Sequence, residues 1–388
     1  MNEEAGVWFV PSIGTDTHAI LLKAPLNVLK AIMIGCRVKV SFAVDRSANP
    51  SILISCVSIY DDKDAPILIT NPHLSKIEHV ALVEILHRKS TPLFHYDELG
   101  RNIAWGESSW SQYLENVIRL ISLSKSPYEG KFTRTVKHAL DNLQISLDPY
   151  IFIPSAHLIE FEQVDLLSHN YKSMDIWGVS INDKGQLFNS LSTDEGSGFE
   201  QTVWQLLETL FTHQLYKSPQ AISGSKKKRE LTDIFGVTDM GLFLFETKTL
   251  SVLNTSPERS TERRAKNLEG QIKKALSQLV GGIRAIKNGH KIVSKSNIDI
   301  DVNRKLCPHG IVVISEVLPK INWVDIFQCL MKSSVESRSM IHIFDLNELR
   351  IFVDNSPSVN HFDYYLMKRF EQSVREKTAF KRIRFISE

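Results

Sequence analysis

Two apolar runs, residues 231–237 (LTDIFGV) and 242–248 (LFLFETK), flank the turn-like residues Thr238-Asp239-Met240-Gly241. Runs of this kind around a short polar turn predict a β-hairpin. Pairing that is symmetric about the Asp239–Met240 bond sets Asp233 directly opposite Glu246. Facing residues have Cβ atoms roughly 4.5–5.5 Å apart, and two carboxylates that close repel unless a cation lies between them. Lys248, two residues beyond Glu246, projects from the same face. The strand faces are otherwise apolar, Leu242 and Leu244 on one side, Phe243 and Phe245 on the other. The hairpin is therefore expected to be central in a sheet, where two acids and a lysine need a reason.

Phosphodiester hydrolysis supplies a reason. Mg²⁺ binds through one or two carboxylates and keeps several waters. It polarises a phosphoryl oxygen and acidifies water, while a neighbouring lysine orients that water and stabilises transition-state charge. Asp233 and Glu246 are the expected metal ligands and Lys248 the catalytic cation. Glu200, at the start of a helix expected over 199–215, is a third catalytic and metal-binding candidate. Gln271 and Gln278, on a long helix expected over 263–288, are candidate supporting residues. The competing interpretation is a buried structural ion pair between Lys248 and one acid, which leaves the other acid unpartnered at a cost.

The order Glu200, then Asp233 on a strand after a short loop, then Glu246-Thr247-Lys248 on the next strand, then a long helix, resembles the PD-(D/E)XK nuclease superfamily over about residues 196–350. The resemblance implies a restriction-endonuclease-like αβββαβ core with a mixed sheet flanked by helices, an acid pair and lysine at the active site, and Mg²⁺ as cofactor, with Mn²⁺ able to substitute. It further implies DNA as substrate, RNA being the alternative, in prokaryotic restriction or antiphage defence. Cutting both strands would need a homodimer or larger assembly. The motif's proline position is Thr232 here, and the first core strand is weakly marked within 216–229. A non-catalytic nucleic-acid-binding or sensor protein with a nuclease-like fold is the alternative class. Two other acid-x-Lys triplets, Asp61-Asp62-Lys63 and Glu129-Gly130-Lys131, lack a matching acid or a strand to sit on.

With 388 residues, 43% apolar and 23% charged, the chain has the composition of a globular α/β protein of two or three domains. The expected division is an α/β domain over 1–125, a connecting α+β segment over 126–195 and the nuclease-like domain over 196–388. The first domain has no assigned role beyond sensing a trigger or protein partner. Strands are expected at 37–44, 52–60 and 309–317, short strands near 150–161, 175–181 and 186–190, and helices at 78–88, 110–122, 322–332 and 360–375. The net charge of +2 is unevenly spread: Lys226, Lys227, Lys228 and Arg229 form one basic block, and Arg263 and Arg264 belong to a second. Both flank the hairpin in sequence and are candidate contacts for a nucleic-acid backbone.

No stretch is apolar enough to predict a membrane span, and the acidic start lacks a signal-peptide pattern. The four cysteines show no CxxC spacing and are expected as reduced thiols in the cytoplasm. His309 reads as a loop residue before a strand, and residues 96–102 (YDELGRN) as a polar turn. Neither a GxxxxGK[ST] phosphate loop nor a GxSxG elbow is present, so ATP hydrolysis and serine-hydrolase chemistry have no support.

Overall fold

A computed structural model describes residues 5–11, 18–62, 66–111, 114–124, 127–147, 159–178, 186–189, 191–192, 194–212, 214–224, 228–255, 260–318 and 320–380. The protein is α/β and divides into two compact units. One comprises Met1–Met174 with Val252–Ser260, the other Asp175–Ser251 with Thr261–Glu388.

The first unit is built on an eight-stranded sheet. Its elements in chain order are β1 (Gly6–Pro11), β2 (His18–Lys23), α1 (Leu26–Met33), β3 (Arg37–Asp45), β4 (Ile52–Tyr60), β5 (Ile67–Pro72), α2 (Lys76–Leu86), β6 (Thr91–Tyr96), β7 (Asn102–Trp110), α3 (Glu115–Ser122), α4 (Arg134–Leu147) and β8 (Phe161–Ser173). The strand order is β1-β2-β6-β7-β8-β3-β4-β5. β3 and β4 fall where their alternating apolar residues predict. Two expectations fail. The helix expected over 110–122 is only Glu115–Ser122, because β7 continues to Trp110. The segment 126–195 is not a separate connector: β8 lies inside the sheet, pairing with β7 through residues 166–173 and with β3 through 161–165. Its many polar side chains, half of them exposed, hide it from a search for apolar alternation. The strand expected near 150–161 lies largely outside the described residues.

The polar turn at 96–102 is present. The buried Asp97 carboxylate accepts hydrogen bonds from the backbone N–H groups of Leu99 and Arg101 and from the Arg101 guanidinium. Beside it Glu98 accepts from the first amide of α1, Leu26 N, at 2.8 Å. Burial, then the Asp97 charge, pushes the Glu98 carboxyl up to about 7.

The second unit contains β9 (Asp175–Gly178), β10 (Gln186–Asn189), α5 (Glu195–Phe211), β11 (Leu215–Lys217), β12 (Gln220–Ile222), β13 (Lys228–Glu230), β14 (Ile234–Val237), β15 (Leu242–Lys248), α6 (Thr261–Lys287), β16 (Lys291–Val293), β17 (Pro308–Ile314), α7 (Trp323–Ser337), β18 (Met340–Asp345), α8 (Leu346–Asp354) and α9 (Val359–Glu376). Its main sheet has the order β11-β14-β15-β17-β18. The first three strands are antiparallel and the last three parallel. The sheet is therefore mixed, and α6 makes the crossover between β15 and β17, as a parallel connection requires.

The sheet is covered on both faces. Leu242, Leu244, Val312, Ile314, Ile341 and Ile343 share one core with Leu268, Ile272, Leu276, Leu279 and Ile283 of α6. On the opposite face Phe243 and Phe245 pack edge-on against Phe211 of α5, and Phe362 of α9 closes the cluster. His309 is not a loop residue: it lies within β17, fully buried and stacked on Phe243. It pairs with Asp363 through Nε2 at 3.0 Å and meets His342 through Nδ1 at 3.1 Å. Burial, then the neighbouring His309 and Arg369, holds the His342 imidazole well below its usual range.

α6 and α7 run parallel, tied by ion pairs Lys273–Asp325 and Arg284–Glu336. Each joins residues 52 apart in the chain, as does Arg264–Glu316. On its other flank α6 approaches the chain before β14 closely: a Cβ on Gly282 would lie 2.5 Å from the Leu231 carbonyl oxygen. No described helix is long and apolar enough to cross a membrane, and the four cysteines are free thiols.

Because a backbone carbonyl cannot swing aside, Gly282→Ala should force α6 off the sheet. A net loss of about 1–3 kcal/mol is expected, the usual cost of overpacking, read as a lowered midpoint in urea unfolding. An unchanged midpoint would show that α6 is not held this close.

Candidate active site

The hairpin forms in the expected register. Ile234 pairs with Phe245, Phe235 with Leu244, Gly236 with Phe243 and Val237 with Leu242. The turn is tied by Thr238, whose amide donates to the Gly241 carbonyl and whose hydroxyl accepts from the amides of Met240 and Gly241. Regular pairing stops at Ile234, so Asp233 occupies a bend one residue before the strand. There the buried Thr232 hydroxyl donates to the Phe245 carbonyl at 2.6 Å, and the Asp233 carbonyl accepts from Ser218 N at 2.8 Å. These two bonds fix the backbone on either side of the Asp233 side chain.

Asp233 does not simply face Glu246 as a regular ladder would have it. Its Oδ2 accepts from the Thr247 amide at 2.7 Å and the Thr247 hydroxyl at 3.1 Å. The Lys248 ammonium bridges the two acids, with Nζ 3.0 Å from Glu246 Oε2 and 3.8 Å from Asp233 Oδ2. The structural ion pair is thus present, and Asp233 is not left unpartnered, because Thr247 satisfies one of its oxygens. Its Oδ1 has no hydrogen bond among the described residues.

One lysine does not neutralise two acids. The Glu246 side chain is 2% exposed. Burial, then the charge of Asp233, pushes its carboxyl up to about 7 against the opposing pull of Lys248. Negative charge is in excess here, and oxygen donors of this kind suit a hard divalent cation. Asp233 and Glu246 fit such an ion, and Asp233 Oδ1 is the open oxygen it would take. A preformed cage is absent: among the described residues no group of three or more His, Cys, Asp or Glu gathers to hold a metal.

Glu200 stands in the second turn of α5 rather than the first, because the helix begins at Glu195. Its carboxyl is raised by burial first, opposed by Lys217, with Asp233 and Glu230 adding repulsion. Lys217 Nζ lies 3.5 Å from Glu200 Oε1 and 3.1 Å from Gln201 Oε1. Glu200 is thus close enough to feel Asp233, but its near partner is a lysine. Lys217 and Glu230 are the charged neighbours that sequence reasoning missed. Lys217 lies on three-residue β11, too short for a periodic signal.

The remaining candidates disperse. Lys226 and Lys227 lie outside the described residues. Lys228 is exposed and donates to Asn297, and Arg263 is exposed. Arg264, against expectation, is only 7% exposed and held by Glu316, so it is not presented to solvent as a backbone contact. Its place in the first turn of α6 turns it inward with Ala265 and Leu268. Arg229 lies across Gly281 of α6 and lines a cleft with Gln278. Neither Gln271 nor Gln278 hydrogen-bonds Asp233 or Glu246 among the described residues.

A carboxyl whose pKa rises from 4.5 to about 7 on folding binds its proton more tightly in the folded state. The cost of ionising it is absent below pH 4.5 and complete above about pH 7, so stability falls as pH rises through that window. Glu246→Gln, a neutral mimic, is expected to stabilise the metal-free protein by roughly 3 kcal/mol at pH 8 and by little at pH 4.5, at 1.36 kcal/mol per unit. Thermal melts in EDTA at the two pH values measure this, and an equal shift at both would refute it.

Compared with known proteins, the chain matches no family model, no curated protein and no solved structure.

Proposed function

We propose that the protein is a metal-dependent nuclease that hydrolyses nucleic-acid phosphodiester bonds at Asp233, Glu246 and Lys248. The observation that carries this reading is the meeting of two carboxylates and one ammonium group within 4 Å. Asp233 sits at the bend before β14, and Glu246 and Lys248 end β15, which is followed by a long crossover helix in a mixed sheet. With β12, β13 and β16 set aside as a separate small sheet, the elements α5, β11, β14, β15, α6 and β17 come in the αβββαβ order of the PD-(D/E)XK nucleases.

Asp233 and Glu246 would hold the cation, Mg²⁺ or Mn²⁺. Bound there, it would supply Lewis-acid polarisation of the phosphate and ease deprotonation of the attacking water. Lys248 orients that water and stabilises the charge that builds on the phosphate oxygens. Thr247 fixes Asp233 through two hydrogen bonds, so one oxygen keeps its aim while the other remains open. Glu246 ionises near neutrality and is the acid whose charge a cation would recover. Glu200, held by Lys217 and raised in part by the Asp233 charge, would support the metal directly or through water. DNA is the proposed substrate, cut on both strands by a homodimer or larger assembly. A prokaryotic restriction or antiphage role in the cytoplasm is part of the proposal, with the first unit reading a trigger or protein partner.

Plasmid DNA and a matched RNA, incubated side by side with Mg²⁺ or Mn²⁺, test this. DNA cleavage is expected in the parent, abolished by EDTA and reduced about 10²-fold or more by Lys248→Ala or Asp233→Ala, the usual loss for a transition-state donor. Cleavage that survives both substitutions would remove the site assignment, and cleavage of RNA alone would reassign the substrate.

A further inference from the structure

The acid pair is not the only concentration of charge in this unit. α6 and α7, with Arg229 of β13, line an open cleft of about 550 Å³, within the range of small-molecule sites. Five cations line it, Arg229, Lys273, Lys274, Arg284 and Lys332, against one carboxylate, Glu336. Lys273 and Arg284 are ion-paired to Asp325 and Glu336 across the two helices. Arg229, Lys274 and Lys332 have no acidic partner among the described residues, and all three are exposed.

The cleft is built rather than incidental. Gly281 leaves α6 bare where the Arg229 guanidinium crosses it: a Cβ there would lie 2.2 Å from Arg229 Nη2. β13, which carries Arg229, is anchored through β12 to β16 in a separate small sheet. Leu276, Val280 and Cys329 supply an apolar lining, Ser277 and Ser333 supply hydroxyls, and the Gln278 amide has a buried Oε1 with no hydrogen bond. Unsatisfied positive charge beside an apolar surface and an unpaired amide matches a ligand that carries both phosphates and a ring.

Length decides between a compact ligand and a strand. The ion pairs that bridge the helices stand at Lys273 and Arg284, about 16 Å apart at 1.5 Å per residue. Lys273, Arg284 and Glu336 line the cleft, so the two pairs bracket it, and a continuous nucleic-acid strand would have to run over them. A compact ligand such as a nucleoside triphosphate would lie between the two pairs.

We infer that the α6–α7 cleft is a binding site for a nucleoside polyphosphate, with its phosphates on Arg229, Lys274 and Lys332. Binding requires no hydrolysis of the nucleotide and is independent of the nuclease assignment. Isothermal titration of the full chain in EDTA, with ATP as the probe, tests it. The expected result is saturable binding in the micromolar range, weakened at least tenfold by Lys274→Ala/Lys332→Ala and by Arg229→Ala. Asp233→Ala should bind as the parent does, which separates this site from the acid pair. The variants remove exposed side chains, and their circular dichroism should match the parent. Absence of saturation at millimolar ATP, or affinity unchanged in the double variant, overturns the inference. Displacement of ATP by a short DNA duplex also overturns it and gives the cleft to nucleic-acid backbone.

Discussion

Where β14 stops pairing with β15 governs the chemistry of the second unit. The ladder runs from Val237–Leu242 to Ile234–Phe245 and then breaks. One more regular pair would have put two carboxylates face to face with nothing between them. The break instead lets Asp233 turn toward the Thr247 amide and hydroxyl, while Glu246 keeps its strand position beside Lys248. Repulsion is reduced without separating the charges beyond the reach of one ammonium. Thr232 makes this possible: its hydroxyl bonds the Phe245 carbonyl, so that oxygen keeps a donor where the regular ladder ends.

Such an arrangement is tolerable only in a rigid frame. Burying a carboxylate beside another is costly, and the raised carboxyl of Glu246 is the visible trace of that cost. The two apolar faces hold the strand in place: α6 packs over Leu242 and Leu244, and the phenylalanine cluster packs beneath Phe243 and Phe245. Glycine at 282 lets the helix come close enough to do so.

Much of the second unit was legible in its sequence. Apolar periodicity located α5, α6, β15 and β17 to within a few residues, because each buries a continuous stripe or run. The hairpin register followed from its turn. The bend at Asp233 did not, since it depends on Thr232 and Thr247 finding partners in the folded state. Arg264 differs from its sequence expectation for a related reason: a basic block looks solvent-facing until helix phase turns one member inward to Glu316. Lys217 and β8 were missed because neither carries periodic apolar signal, one on a three-residue strand and the other on a polar run. α8 was also missed, as it follows β18 without an intervening loop.

The constant offset of 52 between the partners on α6 and those after β17 has a consequence for how this chain can vary in length. A residue inserted within α6 between Lys273 and Arg284 would rotate everything beyond it by about 100°, given 3.6 residues per turn. That would uncouple Arg284 from Glu336 while leaving Lys273 on Asp325. A residue inserted in the irregular stretch between Val293 and Pro308 changes the offset for all three pairs alike and disturbs none of them. Tolerance to insertion should therefore be concentrated there, and deletion scanning would find α6 and α7 to behave as one indivisible block.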